Sequence, residues 1–178
     1  QKSDIMTISA QQIVKLIENE LSTVTDSRVV AHIRGLIVSP EMVLRNWDYG
    51  KPDLKYPCWS VLKHEKSNTG IAYSEFGFGP TYPWGLVSLF GTVNEKSMGM
   101  DCGWFPSFVE AYLDSTASTE LPIWQVFKRD NGDSNPEVAI TAESDWDSTW
   151  EIVYEYRKID KNAVYNCHHN VNYRKSKI

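Results

Sequence analysis

The sequence predicts an α+β fold with a mostly antiparallel sheet, an N-terminal helix and one or two further packing helices. Two observations lead to this prediction. Helical patterns flank a middle part of the chain in which short β-branched and aromatic runs alternate with Gly, Pro and Asn. The chain also has no regular strand–helix alternation, and helices segregated from strands favour α+β over α/β.

The first helix is predicted to begin after Ser9, whose hydroxyl can cap the first turn. Its apolar residues recur at intervals of three and four, which is typical of an amphipathic packing helix. These residues are Ile13, Val14, Leu16, Ile17 and Leu21. The charged residues between them, Lys15, Glu18 and Glu20, are expected to face water.

The next segments read as a strand followed by a short helix. Residues 28–38 are rich in β-branched side chains, which favours a strand. Ser39-Pro40-Glu41 then resembles a helix start. Ser39 can cap the helix, and Pro40 suits the first helical position because no N–H is needed there. The negative charge of Glu41 suits the positive N-terminal end of the helix dipole. This helix is predicted to end near Trp47, before Gly50.

The middle of the chain is predicted to be an antiparallel meander. Strand-length runs at residues 59–64, 70–76 and 86–90 are separated by turn residues. Residues 66–70 suit a hairpin turn between the first two strands. Residues 77–85, dense in Gly, Pro and aromatic side chains, are expected to form an ordered loop.

The remaining elements are one helix and several strands. The helix is predicted over residues 106–114, where Phe108, Val109 and Tyr112 can supply its buried side. Strands are expected at residues 123–127, 138–140 and 150–156. The last of these alternates aromatic and polar residues, the pattern of a half-buried strand.

Charge divides the chain into two parts, although its length suits one domain. Residues 1–156 carry 12 Lys and Arg against 22 Asp and Glu, and residues 157–178 carry six against one. We therefore predict an acidic α+β domain over residues 1–156, with residues 157–178 as a basic segment of that domain or a tail. An acidic body repels nucleic acid and attracts a basic protein.

The cysteines indicate neither a disulfide framework nor a metal site. Cys58, Cys102 and Cys167 are odd in number and lack metal-type spacing, which favours reduced thiols and a cytoplasmic location. Cys167-His168-His169 is expected to be a solvated polar tail, since adjacent residues seldom share one ion. No cofactor is predicted, and no apolar run is long enough for a membrane span.

Cysteine-dependent hydrolysis or group transfer is one alternative function. It would use Cys58 or Cys102 as the nucleophile, with His64 as base and Asp101 as the orienting group. No local catalytic motif surrounds either cysteine, and free cysteines are often buried packing residues. We therefore predict no enzymatic activity.

Two surfaces could bind a partner. Glu143, Asp145 and Asp147 surround Trp146 and form an acidic patch, which we predict to contact a protein partner. In an extended segment, Asp145 and Asp147 would share one face and Trp146 would lie on the other. The aromatic residues of the loop at 77–85 either fill the core or, as a further alternative, bind a glycan or peptide.

The central part of the chain resembles a family of small bacterial proteins. The resemblance rests on short motifs over roughly residues 43–115, most of them built from Gly, Pro and aromatic residues. They are Asn46-Trp47-Asp48-Tyr49-Gly50, Tyr56-Pro57-Cys58-Trp59, Gly70-Ile71-Ala72-Tyr73, Gly77-Phe78-Gly79-Pro80, Pro83-Trp84-Gly85-Leu86, and Met98-Gly99-Met100-Asp101 with Trp104-Phe105.

Such proteins resemble immunity proteins of bacterial toxin systems, of the contact-dependent inhibition or polymorphic toxin type. The resemblance implies a protein that neutralises a cognate toxin domain, which could be a nuclease, by covering its active site or substrate surface. It implies no catalytic residues. Its Gly, Pro and aromatic motif residues suit a scaffold.

Overall fold

A computed structural model describes residues 8–92, 95–121, 123–130, 138–139 and 145–169. The fold is α+β with a mostly antiparallel sheet and an N-terminal helix, as predicted. The chain divides into two compact units, Gln1–Ser118 and Thr119–Ile178. Each unit has its own sheet.

The first unit contains three α-helices and six strands among its described residues. The helices are α1 (Ala10–Leu21), α2 (Ser27–Leu36) and α3 (Phe108–Asp114). The strands are β1 (Ile37–Trp47), β2 (Tyr56–His64), β3 (Thr69–Tyr73), β4 (Trp84–Ser88), β5 (Ser97–Met98) and β6 (Trp104–Phe105).

The six strands form one sheet in the order β5-β1-β2-β3-β4-β6. All neighbouring pairs are antiparallel except β1 and β5. The register pairs Val43 with Cys58 and Ala72 with Gly85. The predicted meander of the middle segments is thus confirmed, with β2, β3 and β4 side by side.

Hydrophobic residues cover both faces of this sheet. On one face the Trp84 ring lies 4.9 Å from Tyr73 and 5.4 Å from Phe108 of α3, measured between centroids. Ala72 neighbours Tyr73 and therefore points to the opposite face. A second cluster packs there, consisting of Cys58, Ala72, Val87, Met98 and Cys102 with the partly buried Trp47, Tyr56, Phe76 and Trp104.

The start of α1 is the predicted one. The backbone N–H of Gln12 donates to Ser9 Oγ at 3.3 Å, and the N–H of Ser9 donates to Gln12 Oε1 at 2.8 Å. This reciprocal capping satisfies N–H groups that the first helical turn leaves free. Ile13, Ile17 and Leu21 are buried along one side.

The strand predicted over residues 28–38 is wrong for most of its length, because residues 27–36 form α2. Asp26 caps this helix by accepting a hydrogen bond from the backbone N–H of Arg28 at 2.9 Å. Val29 and Ile33, four residues apart, are its buried residues. Helical burial here prevails over the β preference of the branched side chains.

The helix predicted from Ser39-Pro40-Glu41 is also wrong, because these residues lie in β1. The β1–β2 register shifts between Ile37 and Glu41, so Pro40 falls at a bulge. Among the described residues, the outer neighbour of β1, β5, pairs only with Asn46 and Trp47. Pro40 is tolerated there because neither a bulge nor an outer edge requires the backbone N–H that proline lacks.

In its described part the second unit contains a three-stranded antiparallel sheet and one helix. The strands are β7 (Trp124–Asp130), β8 (Val138–Ala139) and β9 (Ala163–His169), in the order β8-β7-β9, and the helix is α4 (Trp146–Ile159). Val126, Val153 and Tyr165 form its buried cluster. The strand predicted over residues 150–156 is therefore wrong, since these residues lie in α4.

The predicted boundary after residue 156 falls inside α4. Residues 163–169 pair with β7 along seven positions, from Asp130 opposite Ala163 to Trp124 opposite His169. Cys167-His168-His169 is thus part of a strand and not a polar tail. Whether the two units act as one domain stays a prediction.

Candidate functional site

The acidic patch predicted around Trp146 lies at the start of α4, apart from Glu143, which falls outside the described residues. Trp146 and Asp147 belong to a broad surface hollow of about 650 Å³. Trp150, Glu151 and Tyr154 also line it. We call these five residues the α4 surface.

Helical spacing gives the α4 surface its geometry. Trp146, Trp150 and Tyr154 follow one another at intervals of four, so they lie on one side of the helix. The Trp146 and Trp150 rings are 5.3 Å apart, and those of Trp150 and Tyr154 are 6.0 Å apart. Asp147 and Glu151 repeat the same spacing and place two carboxylates beside the aromatic row.

Asp145 has a structural role at this helix start. Its carboxylate accepts hydrogen bonds from the Ser148 backbone N–H at 3.0 Å and from the Ser148 hydroxyl at 2.8 Å. These hydrogen bonds hold the pKa of Asp145 below its usual value. The expectation of an extended segment with Asp145 and Asp147 on one face is therefore wrong: Asp145 is the cap and Asp147 lies in the first turn.

Two aromatic side chains of the α4 surface are exposed, whereas Trp150 is partly buried. Trp146 is 45% and Tyr154 57% exposed. The Trp146 ring rests against Trp124 of β7, with centroids 4.5 Å apart. The guanidinium of Arg157 lies 5.8 Å from the centre of the Trp150 ring, within the range of a cation–π contact. The surface thus already holds one cationic group against an indole ring.

A second aromatic hollow, of about 260 Å³, lies in the first unit at the loop predicted to be ordered. Phe78, Tyr82, Met100 and Trp104 line it, and we call it the loop groove. Trp47 packs edge-on behind it, with centroids 5.5 Å from Phe78 and 6.2 Å from Trp104. The groove therefore has an aromatic wall supported by a further aromatic ring.

Glycines permit this close packing. Gly77 has a φ of +69°, and a Cβ at this position would lie 2.9 Å from the Trp47 ring. The Gly99 carbonyl accepts a hydrogen bond from Trp104 Nε1 at 2.8 Å. The motifs at residues 46–50, 77–80 and 98–101 therefore meet at one place, where they serve as a scaffold for the rings.

The cysteine site is not assembled as the catalytic alternative requires. Cys58 and His64 lie six residues apart on β2, which separates them by about 20 Å. His64 Nδ1 lies 2.6 Å from Ser67 Oγ. Cys58 is fully buried, and burial raises the pKa of its thiol to about 12, although the nearby Arg45 charge acts in the opposite direction. At neutral pH this thiol is protonated.

Cys102 is also buried, and Asp101 precedes it. Burial raises the pKa of the Cys102 thiol, whereas the Gly99 N–H, which donates to its Sγ at 3.4 Å, acts in the opposite direction. Asp101 Oδ1 lies 3.9 Å from the sulfur, and its negative charge disfavours a thiolate. Cys102 therefore has the surroundings of a packing residue.

Within the described ranges, no three His, Cys, Asp or Glu side chains lie close enough together to hold a metal ion. None of the helices in that same part of the chain has the length and apolar character needed to cross a bilayer.

Comparisons with protein-family models, with curated proteins and with solved structures found no match to this chain. The resemblance to immunity proteins therefore stays a prediction.

The α4 surface was only partly predicted from the sequence. The sequence points to Trp146 and Asp147, whereas its alternating pattern predicts a strand for Trp150, Glu151 and Tyr154. The signal that could have found them is the interval of four between Trp146, Trp150 and Tyr154, following a capping aspartate.

Proposed function

We propose that this protein binds a basic protein partner through the α4 surface, and that the partner is a cognate bacterial toxin domain that it neutralises. The observation that carries this proposal is the row of Trp146, Trp150 and Tyr154, in which Trp146 and Tyr154 are exposed, flanked by Asp147 and Glu151. The resemblance to immunity proteins suggests the kind of partner.

The chemistry of the α4 surface suits a cationic partner. Trp and Tyr supply large apolar contact area and are enriched among the residues that dominate binding energy. Lys and Arg side chains of a partner can lie on the indole faces and pair with the neighbouring carboxylates. The excess of acidic residues over residues 1–156 would speed the encounter with a basic surface.

The test is co-expression with the product of the neighbouring open reading frame, followed by measurement of growth rescue and of the dissociation constant. We expect Trp146→Ala to weaken binding by about thirtyfold, the size of a dominant interface residue. Asp147→Asn should mainly slow association, and added salt should reduce that effect. Circular dichroism checks that both variants remain folded.

A matched control is Asp53→Asn, which removes one exposed carboxylate from a turn in the first unit. It should leave rescue and affinity unchanged. If the neighbouring product neither associates nor is neutralised, or if it binds Trp146→Ala as tightly as the unaltered protein, the proposal is wrong.

The loop groove supports a second candidate, a glycan- or peptide-binding module. Phe78 and Tyr82 are 37% and 47% exposed, so aromatic faces are accessible for stacking. A titration with a glycan and peptide panel should change tryptophan fluorescence, because Trp104 lines the groove. Tyr82→Ala should remove that response, and a panel without any response would count against this candidate.

A further inference from the structure

A polar cavity of about 360 Å³ lies beside β1 and β2 in the first unit, and it shares no lining residue with the loop groove among the described residues. The side chains that matter for its chemistry are Glu41, Arg45, Ser60, Lys63, Glu65 and Lys96, all of which line it. We call it the β1 cavity. Its size lies within the range of small-molecule sites and is about ten times the ~30 Å³ share of one water molecule.

Arg45 is the unusual residue of the β1 cavity, because it is a cation with only 2% of its surface exposed. Its Nη1 donates to the Ser97 carbonyl at 3.3 Å and its Nη2 to the Ser88 carbonyl at 3.2 Å. Both acceptors are neutral, and no carboxylate of the described residues forms an ion pair with it. A buried guanidinium without an anion is costly.

Arg45 and Ser60 also keep unused hydrogen-bonding groups at this place. Within the described part of the chain, Arg45 Nε and Ser60 Oγ are buried and have no partner by hydrogen-bond geometry, although the guanidinium also lies beside the buried Cys58 thiol. Ser60 is, like Arg45, 2% exposed. The register pairs Glu41 with Ser60 and Arg45 with Tyr56, so Ser60 and Arg45 face the same side of the sheet.

The charges around the β1 cavity leave a small excess of positive charge. Lys63 Nζ pairs with Glu41 Oε2 at 2.9 Å, which offsets one cation against one carboxylate. Lys96 also lies close enough to Glu41 to favour its negative charge. Among the described residues that line the cavity, three cations (Arg45, Lys63 and Lys96) therefore face two carboxylates (Glu41 and Glu65). The arrangement favours one negatively charged group near Arg45.

We propose that the β1 cavity binds the oxyanion group, a phosphate or a carboxylate, of a small molecule. Arg45 Nε and the Ser60 hydroxyl donate hydrogen bonds to this group, and Lys96 contributes a positive charge at the cavity wall. Guanidinium groups suit planar or tetrahedral oxyanions because their N–H donors have a fixed geometry. The proposal is independent of the α4 surface.

The test is isothermal titration of the whole chain with sodium phosphate and, separately, with sodium acetate, in Tris chloride at constant ionic strength. We expect saturable binding of one anion per chain. Phosphate alone would indicate a phosphorylated ligand, acetate alone a carboxylic acid, and binding of both would indicate an oxyanion site of either kind.

Four variants separate a built site from a general salt effect. Ser60→Ala should weaken binding by about tenfold, because it removes a hydrogen bond to a charged group. Lys96→Gln should weaken binding by about threefold and Glu65→Gln should tighten it by about as much, the size of interactions between partly exposed charges. Lys15→Gln, on the exposed side of α1, is the control and should change nothing.

Arg45→Met should abolish binding, but it also removes two hydrogen bonds that tie β1 to Ser88 and Ser97 and can therefore unfold the protein. The test of the anion site therefore rests on Ser60→Ala, Lys96→Gln and Glu65→Gln. No saturable binding of either anion, in a cavity that then holds only water, would overturn the proposal. Equal binding by the unaltered protein, Ser60→Ala, Lys96→Gln and Glu65→Gln would overturn it as well.

Discussion

The carboxylate of Glu20, near the end of α1, accepts a hydrogen bond from the backbone N–H of Val109 at 2.9 Å. Its other oxygen accepts from the N–H of Phe108 at 3.1 Å. A side chain expected to face water therefore caps the N-terminal turn of α3, 89 residues further along the chain. The contact fixes α1 against α3 and satisfies two N–H groups that a helix start leaves without an internal partner.

Removing this contact should destabilise the first unit. We expect Glu20→Ala to lower the free energy of unfolding by about 2 kcal/mol, because hydrogen bonds to a charged acceptor are lost and two N–H groups are left unsatisfied. Urea denaturation followed by circular dichroism measures the change. Lys15→Ala, on the exposed side of the same helix, should leave the midpoint nearly unchanged; equal midpoints for all three proteins would contradict this role of Glu20.

Two glycines should respond to alanine in opposite directions. Gly77→Ala should destabilise by about 1–2 kcal/mol, because the φ of +69° is strained for alanine and the new Cβ meets the Trp47 ring. Gly35→Ala should stabilise by about 0.5 kcal/mol, since Gly35 lies in α2 and the new Cβ would meet no described atom within 4 Å beyond its chain neighbours and the backbone of its own helix. Thermal unfolding of both variants is the measurement. Unfolding temperatures that shift in the same direction for both variants would refute the prediction.

The burial of Cys58 predicts a loss of stability in alkaline solution. The unfolded chain releases the thiol proton near the ordinary value of 9.0, whereas the folded protein keeps it until about pH 12. Between these values the folded state binds more protons, so stability falls as pH rises, by about 1.4 kcal/mol per pH unit from this group.

Denaturation curves from pH 8 to 11 test this dependence. Cys58→Ala removes the titrating group, so its stability should decrease less steeply with pH than that of the unaltered protein, whatever its absolute stability. Parallel pH profiles would show that the Cys58 thiol titrates normally in the folded state.

Asp145 should affect stability through its helix-capping role. Asp145→Asn keeps a capping oxygen and should lower the unfolding midpoint less than Asp145→Ala, which removes it. Because the folded-state pKa of Asp145 is lowered, its stabilising contribution is present above the ordinary aspartate pKa and is lost on acidification through the folded-state value. Unfolding midpoints at neutral and acidic pH measure this contribution of Asp145. Equal midpoints for Asp145→Asn and Asp145→Ala at neutral pH would argue against a capping role.

The elements that the sequence predicted well are those in which local signals and long-range packing agree. For α1, the capping residue Ser9 and the apolar spacing both indicate a helix. In the middle strands, β-branched and aromatic residues lie between turn residues. The incorrectly assigned segments at 28–38 and 150–156 contain residues that favour strands, yet Val29 with Ile33 and Thr149 with Val153 are buried at helical spacing. Tertiary packing decides such cases.

The sites were harder to predict than the elements, because their residues meet through long-range contacts. Trp146 and Asp147 can be selected from the local run of acidic residues around the tryptophan, but their neighbours on the α4 surface follow only once the helix is known. The β1 cavity depends on Arg45, whose carbonyl partners Ser97 and Ser88 lie 52 and 43 residues away in the sequence. No local pattern marks such a residue as buried.

Pro40 and the adjacent bulge have a consequence for how copies of this protein meet at high concentration. Strands at the border of a sheet can add to the same strand of another copy and begin aggregation. Met42 and Leu44, both 44% exposed, make this stretch of β1 apolar enough for such an encounter. Pro40 has no backbone N–H to donate and lies beside an irregular register, so it interrupts the addition of a strand from another copy along this edge.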